Sequence, residues 1–160
     1  HDFKTSTEAN LKDMHTRVQK LKKVQHQIAQ ILKELPKEEK YSSLKTKGNA
    51  IVKQLISWDE DMVQRKSKAY DDVENFPNKF TAEYIFLMNQ NDSSLPKLNQ
   101  ASKNRLVELD KQWKVLRSIS DKLLNTIIPN YNTLLWEHGI GALKISNEFL
   151  QKNIISGYRQ

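Results

Sequence analysis

Between residues 41 and 62 the apolar positions advance by alternate steps of three and four: Tyr41, Leu44, Gly48, Ile51, Leu55, Trp58 and Met62. A period of about 3.5 sets all of them on one side of an α-helix and suits a neighbouring helix crossing nearly antiparallel at about 20°. A strand, whose side chains alternate with a period of two, cannot bury such a set. Gly48 costs this helix about 1 kcal/mol of propensity, and on the stripe its missing side chain lets another helix approach.

The rest of the chain repeats the device. Leu11, Met14, Val18, Leu21, Val24, Ile28, Ile31 and Leu35 form one stripe over residues 7–35, which Pro36 ends. Residues 67–76 lack a period and read as a connection. Pro77 fits the first turn of a third helix with Phe80, Tyr84, Leu87 and Met88 on its stripe. A fourth helix of roughly forty residues starts near Pro96. It carries Leu98, Ala101, Leu106, Leu109, Trp113, Leu116, Leu123, Ile127, Tyr131 and Leu134. Pro129 should kink or split it, because the proline ring meets the carbonyl four residues back. Gly139 and Gly141 supply the stop. Residues 142–155 have the makings of a short further helix, and the last five read as a frayed end. With four Gly and four Pro, there is little material for the turns of an all-β fold. The reading is an all-α, up-down bundle of about four helices, with the fourth long and kinked near Pro129. Residues 1–160 make one domain, with a core over 7–145 and a tail or short extra helix over 146–160. A chain of this length buries roughly two-thirds of its unfolded surface. It starts at His1, which reads as a segment cut from a longer protein.

Chemistry is sparse. The net charge is +7, with 16 basic and 12 acidic residues in the first eighty positions and 10 and 7 in the second eighty. The excess therefore reads as spread along the chain, whereas nucleic-acid binders gather theirs in a stripe. Lys20, Lys22 and Lys23 read as a solvated face. There is no Cys, which excludes disulfides and thiol catalysis. A di-iron bundle needs Glu three residues before His, and the residues three before His15, His26 and His138 are Lys12, Lys23 and Leu135. His15 and His26 would stand about 16 Å apart along a helix, too far to share a metal ion. Asp59, Glu60 and Asp61 are consecutive, splay around a helix and read as a solvated acidic turn. Trp58 and Trp113 lie on stripes and are expected in the core, while Trp136 is a candidate contact residue. Asn91-Asp92-Ser93 matches a glycosylation acceptor. No apolar run approaches the ~20 residues that span a bilayer. No cofactor, metal site or catalytic group is expected.

One block, ENFPNKFTAEYIFLMNQND at residues 74–92, is much more apolar than its surroundings. Its stripe reads as a core wall. Ile85 and Phe86 fall outside the stripe and widen the apolar face, which makes them candidates for docking against another domain.

The order of segments adds a resemblance. Asn75-Phe76-Pro77 with Lys79 opens the short apolar helix, Pro96 precedes the long one, and Asn132, Leu134, Leu135 and Gly139 close it. Over about residues 8–145 this resembles the helical region that follows the β-propeller in bacterial secreted proteins with sortilin-like BNR/Asp-box repeats. Lys97 stands where that family tends to have Thr, and residues 146–160 run past its usual end. The resemblance implies a non-catalytic accessory domain, outside the cytoplasm, packed on or tethered to an upstream propeller of the same chain. Any hydrolase activity would belong to that propeller. The docking contacts would be Phe76, Ile85, Phe86 and Trp136. The alternative is a freestanding helical adaptor or regulator that binds acidic partners through a basic surface; the even spread of charge disfavours nucleic acid as a partner.

Overall fold

A computed structural model describes residues 2–63, 80–92, 100–141 and 143. The fold is all-α, a helical bundle, with no strand among the described residues. Helix α1 covers Asp2–Glu34, a 3₁₀ turn covers Glu39–Tyr41, α2 covers Ser42–Met62 and α3 covers Phe80–Asp92. Helix α4 (Gln100–Lys122), a π turn (Leu123–Ile127) and α5 (Ile128–Glu137) follow one another without a gap and make the long fourth helix. Helix α1 ends as Pro36 requires, with the Leu35 N–H still bonded to the Ile31 carbonyl at 3.0 Å. The connection at 67–76, the starts at Pro77 and Pro96, the acceptor Ser93, the extra helix over 142–155 apart from Leu143, which is not helical, and the tail lie outside the described residues.

The chain divides into two compact groups. One is residues 1–18 with 57–120, the other residues 19–56 with 121–160. In the first group, Met14, Val18, Trp58, Met62, Phe80, Tyr84, Leu87, Leu106, Leu109 and Trp113 are buried. The Phe80 ring lies 5.8 Å from that of Tyr84 and 6.4 Å from that of Trp113, centroid to centroid, within the range of favourable aromatic pairs. Trp58 Nε1–H donates to the Leu116 carbonyl at 2.8 Å, so this tryptophan is buried without an orphaned donor. Ser120, fully buried on the same stripe, accepts from Arg17 at 2.7 Å and donates to the Arg117 carbonyl at 2.7 Å. Asp59 is buried within α2 rather than part of a solvated turn, while Asp61 is exposed. It follows Trp58 and stands four residues after Leu55, so it flanks the stripe and goes in with it.

In the second group, Leu21, Val24, Ile28, Leu35, Leu44, Ile51, Leu55, Leu123, Ile128, Tyr131, Leu135 and Leu143 are buried. The contact that the Gly48 position requires is present. A Cβ at residue 48 would lie 2.5 Å from the Tyr131 hydroxyl oxygen and 2.9 Å from a Leu32 methyl. Tyr131 uses the gap to donate its O–H to the Leu44 carbonyl at 2.9 Å. That oxygen thereby uses the second of its two acceptor positions, the first being taken within α2.

The fourth stripe departs from its spacing at the π turn. Up to that point the buried positions are Leu106, Leu109, Trp113, Ser120 and Leu123; beyond it they are Ile128, Tyr131 and Leu135. Ile127 and Leu134, which an unbroken α-helix would bury, are only half-buried, and Ala101 is exposed. The Ile128 N–H bonds to the Leu123 carbonyl five residues back. A π turn takes up one extra residue, and the face beyond it rotates by about one residue's 100°. Pro129 explains the location. In a regular helix its ring would strike the carbonyl of Asn125, and it stands directly after the π turn, at the start of α5.

Gly48→Ala should therefore destabilise the protein by about 1–3 kcal/mol, because overpacking against Tyr131 outweighs the ~1 kcal/mol gained in helix propensity. Tyr131→Phe should cost about 1 kcal/mol. Urea unfolding midpoints measure both; a Gly48→Ala protein at least as stable as the parent would mean that the notch is not occupied.

Candidate functional site

On α3 the residues that close the core and those that face outward are neighbours in sequence. Phe80, Tyr84 and Leu87 point inward, Ile85 is half-buried, and Phe86 is 57% exposed. At 100° per residue Ile85 and Phe86 flank the buried line on its two sides, so a helix this apolar cannot hide both against one neighbour. Phe76 lies outside the described residues.

The helix that carries Phe86 is clamped by polar contacts. Thr81 Oγ1–H donates to the Met62 carbonyl at 2.6 Å, tying its first turn to the end of α2. Arg105 on α4 grips both oxygens of Glu83, one of the two bonds measuring 2.7 Å, and also holds Glu108 at 2.9 Å. These hydrogen bonds from Arg105 hold the Glu83 carboxyl below its usual range. Tyr84 O–H donates to Asp110 at 3.3 Å and accepts from Asn10 at 3.3 Å. Burial pushes the Asp110 carboxyl up, against the opposing bond from Tyr84. Asp61, Phe80, Glu83, Arg105, Gln112, Val115 and Leu116 line an open groove of about 470 Å³ beside this clamp. Val115 at its edge is 61% exposed.

In the other group, Trp136 near the end of α5 is 60% exposed. The helix stops immediately after it with bonds from Gly139 N–H to the Trp136 carbonyl at 3.0 Å and from Ile140 N–H to the Leu135 carbonyl at 2.9 Å. Gly139 supplies the positive φ of 75° that this termination needs. Asn132 Oδ1 then accepts the Leu143 N–H at 2.7 Å. Lys47, Ala50, Ile51, Ile127, Asn130, Tyr131 and Leu134 line a second groove, of about 340 Å³.

Of the residues expected at a docking surface, Phe86 and Trp136 are exposed and Ile85 is partly so. Phe86 belongs to one compact group and Trp136 to the other. Three further exposed aliphatic residues, Val107, Val115 and Ile119 on α4, are not apparent from the sequence stripe, which registers only what spacing can bury. His15 and His26 are exposed. No set of three or more His, Asp or Glu is placed to hold a metal ion among the described residues. No described helix is long and apolar enough to cross a membrane.

The charge, even along the sequence, is uneven between the groups. Residues 1–18 and 57–120 contain 13 Lys and Arg and 13 Asp and Glu. Residues 19–56 and 121–160 contain 13 and 6, which accounts for the entire +7. Each half of the sequence contributes to both groups, and the asymmetry disappears when the sequence is simply cut in two. Comparisons with protein-family models, curated proteins and solved structures yield no match to this chain.

The Glu83 clamp sets a pH dependence. A carboxyl whose folded pKa is depressed adds stability that is complete above its unfolded pKa and is lost as pH falls through the lower folded value. Glu83→Gln should lower stability by at most about 1 kcal/mol at neutral pH, given the partial exposure of the pair. The loss should shrink below the ordinary carboxylate range. Chemical unfolding across the acid range checks this, and a loss that grows on acidification would contradict the assignment.

Proposed function

We propose that this chain is a non-catalytic interaction domain that serves as the accessory module of a larger secreted, sortilin-like Asp-box propeller protein. The observation that carries the interaction reading is Phe86. A large aromatic ring, 57% exposed, sits on a helix fixed at Thr81, Glu83 and Tyr84, which presents it to a partner at little cost in ordering. Aromatic anchors of this kind supply much of the energy of protein interfaces. The identity of the partner rests on the segment order Asn75-Phe76-Pro77 with Lys79, Pro96, and Asn132 to Gly139.

The reading frame upstream of residue 1 should encode Asp-box turns, and the propeller they form should co-purify with this domain. Phe86→Ala should weaken that association at least tenfold with an unchanged thermal midpoint. A reading frame without such repeats removes the propeller assignment. Severe unfolding of Phe86→Ala returns Phe86 to the core and removes the interaction assignment.

A second reading, an adaptor for acidic partners, is favoured by the charge partition, since the whole +7 lies in one compact group. Retention on heparin that falls steeply between low and physiological salt supports it, and a flat profile removes it.

A further inference from the structure

We infer that the groove between α2 and α5 is a binding site for an aliphatic carboxylate, with the hydrocarbon chain against Ile51, Ile127, Tyr131 and Leu134 and the carboxylate on Lys47. The groove measures about 340 Å³, within the range of small-ligand sites, which are mostly apolar with a few fixed polar groups. Here the polar groups are the Lys47 ammonium and the Asn130 amide, beside the Tyr131 hydroxyl already committed to Leu44. Among the described residues, no carboxylate lines the groove. The described residues of the compact group around it include 10 basic against 5 acidic residues. A carboxylate is therefore attracted from a distance and meets the Lys47 ammonium on arrival.

The apolar wall is a consequence of the π turn. Its extra residue turns Ile128 and Leu135 into the core and leaves Ile127 and Leu134 at the groove. Turns of this kind occur often at functional sites. The Tyr131 ring is fixed by its hydroxyl in the Gly48 notch, so one wall is rigid before any ligand arrives. The site shares no residue with the Phe86 surface, and its test is independent of the propeller.

Isothermal titration of the full chain with decanoate at neutral pH and low salt should give saturable, equimolar binding. Lys47→Gln should weaken it about tenfold, the loss of one charge-assisted contact. Ala50→Trp, at an exposed position that lines the groove, should abolish binding while leaving the thermal midpoint unchanged. Decyltrimethylammonium, with a hydrocarbon chain of equal length and the opposite charge, should not bind. The proposal is overturned by the absence of saturable decanoate uptake. It is equally overturned by comparable uptake of the cation, or by decanoate affinity indifferent to Lys47→Gln.

Discussion

The Tyr131 hydroxyl takes the space that a side chain at residue 48 would fill, and it is bonded there to the Leu44 carbonyl. Burial raises the pKa of this phenol, so it remains a neutral donor at physiological pH. The contact fixes the rotation of α5 about its own axis, because only one face can hold Tyr131 toward α2. Ile128 and Leu135 must then lie inward and Ile127 and Leu134 toward the groove. The π turn supplies the rotation that brings Ile128, rather than Ile127, into line with the buried Leu123. Pro129 fixes where the rotation occurs, since a regular helix through it would drive the ring into the Asn125 carbonyl.

The residue 1–18 and 57–120 group is organised on a different principle. Its interior is aromatic, with Trp58, Phe80, Tyr84 and Trp113 buried together. Polar side chains then fix α3, through the bond from Thr81 to the end of α2 and the fork of Arg105 on Glu83. Arg17 plays a similar part, holding Asp13 at 2.9 Å and Ser120 at 2.7 Å. None of these polar contacts stabilises much singly, given the partial exposure of the charged pairs. Together they select one orientation for an apolar helix that would otherwise pack equally well on several sides, and that selection is what leaves Phe86 outside.

The fold class was legible from residue spacing. The stripes of α1 and α2, with Gly48 as a gap for a neighbour, follow from steps of three and four, and so does the inward face of α3. The register beyond residue 123 was not legible. Leu123, Ile127, Tyr131 and Leu134 fit a continuous helix as well as Leu123, Ile128, Tyr131 and Leu135 fit an interrupted one. Apolar residues stand at both sets of positions, and Pro129 signals an interruption without saying which way the face turns. Asp59 was misplaced because consecutive acids suggest a solvated turn, although its place four residues after Leu55 puts it beside the stripe. Of the candidate contact surface, Phe86 and Trp136 were visible as apolar residues off the stripe. The charge partition was hidden because each compact group is assembled from two separated stretches of chain.

The register of the long helix beyond the π turn decides both the core of the residue 19–56 and 121–160 group and the existence of its groove. Thermal unfolding of Ile127→Asn and Ile128→Asn, measured side by side, tests it most directly. With the face rotated as described, Ile128→Asn puts an amide in a fully buried site and should cost more than about 3 kcal/mol. Ile127→Asn, at a half-buried position on the groove, should keep a cooperative transition near that of the parent protein. The reverse order, with Ile127→Asn the destructive change and Ile128→Asn tolerated, would mean that the helix runs through Pro129 in an unbroken register and would contradict the account.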